Sequence, residues 1–87
     1  MLEKHVIVGV HITDRVTHAT DVQKALTDYG SSIRTRLGLH DMGEEFASPN
    51  GLLLLEFVGT DDDCEQMSTA LNAIEGVEVK SMVFDHP

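Results

Sequence analysis

Arg34 and Arg36 stand one residue apart in Ile33-Arg34-Thr35-Arg36-Leu37-Gly38-Leu39-His40, and they are two of only six Lys and Arg residues in a chain with fifteen Asp and Glu. A guanidinium presents a planar fork of donors that matches a carboxylate or a phosphate. Two such forks on one strand face would make an anion clamp. The structural alternative is that they pair with Glu56, Glu78 or the acidic stretch after His40, within the chain or across a subunit interface. An R-x-R pair by itself does not decide between the two.

Five histidines, His5, His11, His18, His40 and His86, are a large number for this length. Neutral imidazole binds zinc, nickel or iron, and a site needs several ligands that converge. His11 and His40 could meet on neighbouring strands or across a dimer, with Glu56 as a third ligand. A transition-metal site on these residues is therefore one reading. No C-x-x-C, H-x-H or H-E-x-x-H spacing fixes such a geometry, and the competing reading is surface or interface histidine. Cys64 falls on the apolar stripe of a predicted helix, where a thiol serves as a small core residue without a base or an oxyanion hole beside it. Glu44-Glu45 reads as a solvated loop and Asp61-Asp62-Asp63 as a helix start. The glycines at 38, 43 and 51 form neither a P-loop nor a dinucleotide fingerprint. No catalytic centre emerges, so the expectation is a non-enzyme with no cofactor specified.

The elements that must position these residues follow from periodicity. Val6, Val8, Val10 and Ile12 alternate on a first strand. Thr20 or a nearby threonine can cap a helix in which Val22, Ala25, Leu26 and Tyr29 recur at helical spacing, with Gly30 placed to stop it. Ser31 to His40 alternates again as a second strand. Residues 41–51 are rich in acids and breakers and read as a long hairpin loop. Leu52 to Val58 is apolar at nearly every position, which predicts a third strand covered on both faces. Thr60 caps a second helix with three acids in its first turn and Cys64, Met67, Ala70, Leu71 and Ile74 on its stripe. Gly76 can end it, Val77 to Phe84 forms the closing strand, and Asp85-His86-Pro87 should fray.

Strand, helix, strand, strand, helix, strand is the α+β plan called ferredoxin-like: a four-stranded antiparallel sheet with both helices on one face. The opposite face is then open. The alternation predicts that it carries His5, Ile7, Gly9 and His11 from the first strand and Arg34, Arg36, Gly38 and His40 from the second. Ile33, Thr35, Leu37 and Leu39 would face the helices. The third strand would add Leu52, Leu54, Glu56 and Val58, and the fourth Glu78, Lys80, Met82 and Phe84. Apolar surface mixed with charges that need partners is the composition of a sheet face covered by another subunit.

Length and charge bound the rest. Residues 1–87 make one domain, too short for two cores, and a domain this small gains stability by self-association. A formal charge of -9 opposes contact with phosphate backbones and anionic lipids, which argues against direct nucleic-acid or membrane binding. The longest wholly apolar run, Leu52 to Leu55, is far short of the ~20 residues of a membrane span. The single cysteine and the absence of a leader-like opening lead to the expectation of a soluble cytoplasmic protein.

Four stretches together, V-I-V-G-V-H-I-T-D-R at 6–15, V-Q-K-A-L-T-D-Y-G at 22–30, I-R-T-R-L-G-L-H at 33–40 and I-E-G-V-E-V-K-S-M-V-F at 74–84, resemble the iron-only hydrogenase system regulators. That ferredoxin-like domain is similar to the C-terminal domain of nickel-responsive repressors and to amino-acid-binding ACT domains. The resemblance covers nearly the whole chain and implies a cytoplasmic, oligomeric, non-catalytic regulatory domain. Gly38 and Tyr29-Gly30 stand where that group has a glycine-centred strand and a helix end. The repressors' histidine-x-histidine ligands are not matched, because His40 stands alone and Cys64 lies on a predicted helix. No ribbon-helix-helix precedes the domain in this sequence, so an effect on transcription would need a partner chain. The resulting expectation is a homo-oligomeric regulatory or sensor module, a dimer or higher, that binds a small effector through Arg34, Arg36, His40, His11 and Glu56. The alternatives are a structural subunit whose sheet face binds another protein, and a transition-metal-binding domain.

Overall fold

The computed structural model describes residues 4–13, 15–39 and 51–85. Its elements are β1 (Lys4–Ile12), α1 (Arg15–Asp28), a 3-10 turn (Gly30–Ser32), β2 (Ile33–Leu39), β3 (Gly51–Phe57), α2 (Asp61–Asn72) and β4 (Val77–Asp85). The strands form one sheet in the order β2-β3-β1-β4, with every neighbouring pair antiparallel. This is the ferredoxin-like βαββαβ arrangement. His40, residues 41–50 of the hairpin loop and the terminal His86-Pro87 lie outside the described residues. Asp85 does not fray as expected; it closes β4 opposite Lys4.

Side-chain alternation builds the core. Val6, Val8, Val10 and Ile12 point to one face of β1 and are buried with Leu55 and Phe57 of β3, Val22 and Leu26 of α1, and Met67 and Leu71 of α2. Both helices contribute to the same cluster, so both cover the same face of the sheet. Each fully buried aliphatic side chain contributes about 1.5–3 kcal/mol, and in so short a chain this one layer must carry most of the stability.

Two helix boundaries differ from the sequence reading. α1 begins at Arg15, five positions before Thr20, because the apolar stripe marks where a helix packs and not where it starts. Gly30 does not end α1 through a left-handed residue. The helix tightens instead: Tyr29 N–H donates to the Leu26 carbonyl at 3.2 Å and Ser32 N–H to the Tyr29 carbonyl at 2.9 Å. α2 starts as expected, with the Thr60 hydroxyl accepting from Asp63 N–H at 3.1 Å and three aspartates in the first turn. Lys4 reaches Asp61 at 2.6 Å, and the hydrogen bond its ammonium donates to that carboxylate raises the lysine above its usual pKa.

Gly76 lies in the turn beyond α2 at φ +82°. Its carbonyl accepts from Thr13 N–H at 2.7 Å, and an added Cβ would sit 3.0 Å from the Thr13 carbonyl oxygen and 3.1 Å from the His18 ring. Glycine is needed there for both conformation and space. Gly76→Ala is therefore expected to cost about 1–2 kcal/mol of stability, read from the midpoint of a urea titration.

Candidate functional site

The position of the arginine pair is set by an irregularity in β2. Ile33 lies opposite Phe57, yet Thr35 lies opposite Glu56, so the register shifts between Ile33 and Thr35. A bulge leaves one residue extra, and every side chain after it changes face relative to uninterrupted alternation. Arg34 stays on the open face. Thr35 and Leu37 join it, opposite Glu56 and Leu54, while Arg36 and Gly38 lie opposite the helix-side residues Leu55 and Leu53. The expectation of Arg34, Arg36 and Gly38 on one face, with Thr35 and Leu37 toward the helices, is thus corrected. The two guanidiniums do not form a clamp on a single face. Leu39 pairs in register with Leu52, and His40 lies outside the described residues.

Arg34 is already engaged. Its Nε donates to Glu56 Oε1 at 2.9 Å and its Nη2 to Oε2 at 2.7 Å, a fork-to-fork ion pair. His5 Nδ1–H donates to Glu56 Oε2 at 3.0 Å, and the Thr35 hydroxyl approaches Oε1 at 3.4 Å. The Glu56 side chain is only 13% exposed beneath these partners. The hydrogen bond from His5 and then the Arg34 guanidinium hold its carboxyl below the usual range, against the opposing effect of desolvation. Sequence reading placed His5 on this face but not in the site; the signal was its position one turn of the alternation from Ile7, which lies opposite Glu56.

His11 is not part of this cluster. It lies opposite Leu52 and Glu78, four residues along β1 from Ile7, or about 13 Å at the rise of a strand. Among the described residues no group of three His, Cys, Asp or Glu side chains could hold a metal ion. Cys64 is half-buried against the core, and burial pushes its thiol above the usual value, which favours the unreactive protonated form.

Arg36 has a different setting. A recess of about 260 Å³ at the β2 edge is lined by Leu26, Thr27 and Gly30 from the end of α1 and the 3-10 turn, and by Ile33, Arg34, Thr35 and Arg36. Among the described residues Arg36 makes no ion pair, whereas Arg34 gives its guanidinium to Glu56. The recess therefore has one committed and one available cation. A second groove, of about 510 Å³, runs past Tyr29 and is lined by Asp62 and Glu65 of α2, a composition that repels anions.

The open face expected on β1, β3 and β4 is present. Opposite residues place Met82, Ile7, Glu56 and Thr35 in one row, and Lys80, Gly9, Leu54 and Leu37 in the next. Leu37, Leu52, Met82 and Phe84 are all exposed there, so in the single chain the open side of β3 is only partly covered, with Leu54 and Glu56 half-buried and Leu52 exposed.

No protein-family model matches the sequence, and no curated protein matches it. Solved structures do match in fold. An uncharacterized protein from Thermotoga maritima is 24% identical with a TM-score of 0.79, over 93% of this chain and 98% of that one. A nitrogen regulatory PII-like protein from Thiomonas intermedia K12, bound to ADP, AMP and bicarbonate, is 14% identical with a TM-score of 0.56, over 100% of this chain and 99% of that one. A formyltetrahydrofolate deformylase from Pseudomonas putida KT2440 is 13% identical with a TM-score of 0.56; 90% of this chain is matched to 28% of the deformylase. At these identities the similarity is one of fold.

Proposed function

We propose that this chain is a non-catalytic, homo-oligomeric regulatory module of the cytoplasm that binds a small anionic effector, and that it belongs with the iron-only hydrogenase system regulators its sequence resembles. The observation that carries the reading is the recess at the β2 edge, where Arg36 has no carboxylate partner among the described residues of a strongly acidic protein. A recess of about 260 Å³ is below the usual range for drug-sized ligands. It suits a carboxylate or similar anion of amino-acid size, with Arg36 supplying the charge. The PII-like protein of the same fold holds ADP, AMP and bicarbonate, anions of the chemistry a guanidinium recognises.

Titration calorimetry with bicarbonate, the amino acids, AMP and ADP tests this reading. One small anion is expected to give saturable heat, and Arg36→Ala is expected to weaken it about 10- to 100-fold, the worth of a charge-assisted hydrogen bond. Absence of heat across the panel, or an affinity unchanged in Arg36→Ala, would contradict it. A second reading, a subunit that binds another protein, is favoured by the exposed Leu37, Leu52, Met82 and Phe84 on the open face.

A further inference from the structure

The two edges of the sheet are built differently. β2 carries a bulge and two arginines, the devices that discourage strand pairing. β4 is nine residues long and pairs with β1 in unbroken register from Val77 to Asp85, without a bulge or a proline. Its segment Met82–Phe84 is apolar on both sides and exposed on both: Met82 (53%) and Phe84 (52%) on the open face, Val83 (50%) on the helix side. Such an edge is a template for another strand.

We propose that this edge pairs antiparallel with β4 of a second copy about a two-fold axis at Val83, joining two four-stranded sheets into one continuous sheet. The inference rests on the self-association in the functional reading above and gives it an interface. Backbone direction fixes the register. Val79 N–H donates to Asn72 Oδ1 at 3.1 Å, so it points away from β1. Because backbone groups alternate along a strand, those of Ser81, Val83 and Asp85 point to the free edge as well. An axis at Val83 pairs Val83 with the partner's Val83 and Ser81 with the partner's Asp85. All three sets of outward groups are then used, and Val79, already satisfied by Asn72, is left outside. An axis at Ser81 would demand the Val79 N–H a second time.

The same register is self-complementary in its side chains. Met82 lies opposite the partner's Phe84, a thioether against an aromatic ring, twice over by symmetry. From Ser81 to Phe84 the edge has no charge, and the one acid, Asp85, meets a serine hydroxyl. This matters for two chains of net charge -9, which need an uncharged strip on which to approach. The joined sheet would also make the apolar open faces of both copies continuous.

The test uses the full chain. Light scattering on a sizing column is expected to give wild-type protein at twice 9.6 kDa, or an even multiple of that mass. Val83→Pro is expected at half the wild-type mass with an unchanged circular dichroism spectrum, since the lost N–H faces away from β1. A second measurement does not depend on that variant folding. In a Cys64→Ser background, mixing Met82→Cys with Phe84→Cys protein under mild oxidation is expected to give a disulfide-linked pair, because those Cα atoms would lie about 4.5 Å apart. Either variant alone is expected to link poorly. An associated wild type with no cross-link and no change in Val83→Pro would overturn the β4 pairing and leave self-association standing. A monomeric wild type would overturn both, while effector binding is read separately through Arg36→Ala.

Discussion

Leu71→Ala is expected to lower the free energy of unfolding by about 2–5 kcal/mol, measured by urea titration. Leu71 is fully buried near the end of α2, in the cluster that includes Val8, Val10 and Met67. Truncating it removes apolar transfer energy and leaves a cavity that the rigid strands beneath cannot close. The stability of a domain of 87 residues is of the order of 4–13 kcal/mol, so this one change would remove a large share of it and lower the melting temperature by roughly 10 °C or more. The consequence reaches the sheet edge. Leu71 precedes Asn72, whose side chain holds Val79 N–H, and loosening the end of α2 loosens that restraint on β4. A loss below 1 kcal/mol would contradict the core described above.

Glu56→Gln is expected to remove much of the acid sensitivity of the fold. The folded-state carboxyl lies below its usual value because His5 and Arg34 favour the charged form. A depressed carboxylate contributes stability above the pKa of the unfolded chain and loses it as pH falls through the folded one. Wild-type protein should therefore weaken progressively on acidification from about pH 5 downward, while Glu56→Gln starts weaker at neutral pH and changes less in acid. Urea midpoints collected between pH 7 and pH 3 for both proteins check this. Parallel acid slopes would show that the Arg34–Glu56–His5 cluster contributes nothing on balance.

Much of the architecture was legible because alternation and helical spacing are direct consequences of burying one face. Val6, Val8, Val10 and Ile12 were assigned to the core by period alone, and β3 and β4 kept uninterrupted registers, so Glu56, Lys80, Met82 and Phe84 fell on the expected face. Alternation alone misplaces the residues of β2 after Ile33, because a bulge adds a residue without leaving a compositional mark. Arg34 carries no glycine or proline signal, and Thr35 and Leu37 suit either face of a strand. The error moved Arg36 across the sheet. It also changes the chemistry, since a two-arginine clamp becomes one ion-paired arginine and one arginine without an ion pair among the described residues, both at the rim of one recess. Nor could the recess be read from spacing. It depends on where the end of α1 and the 3-10 turn come to rest against β2, which periodicity does not determine. His11 looked close to Glu56 only while the register between β1 and β3 was unknown.

We propose that the guanidinium of Arg36, without an ion pair among the described residues, serves a small anionic effector in an assembled protein. Native mass spectrometry of protein purified without denaturation tests it most directly. The expected spectrum shows a multiple of the single-chain mass with an added small anion, retained at low activation energy and absent from Arg36→Ala. Bare chains in both proteins, before and after incubation with the anions used for calorimetry, would contradict the account.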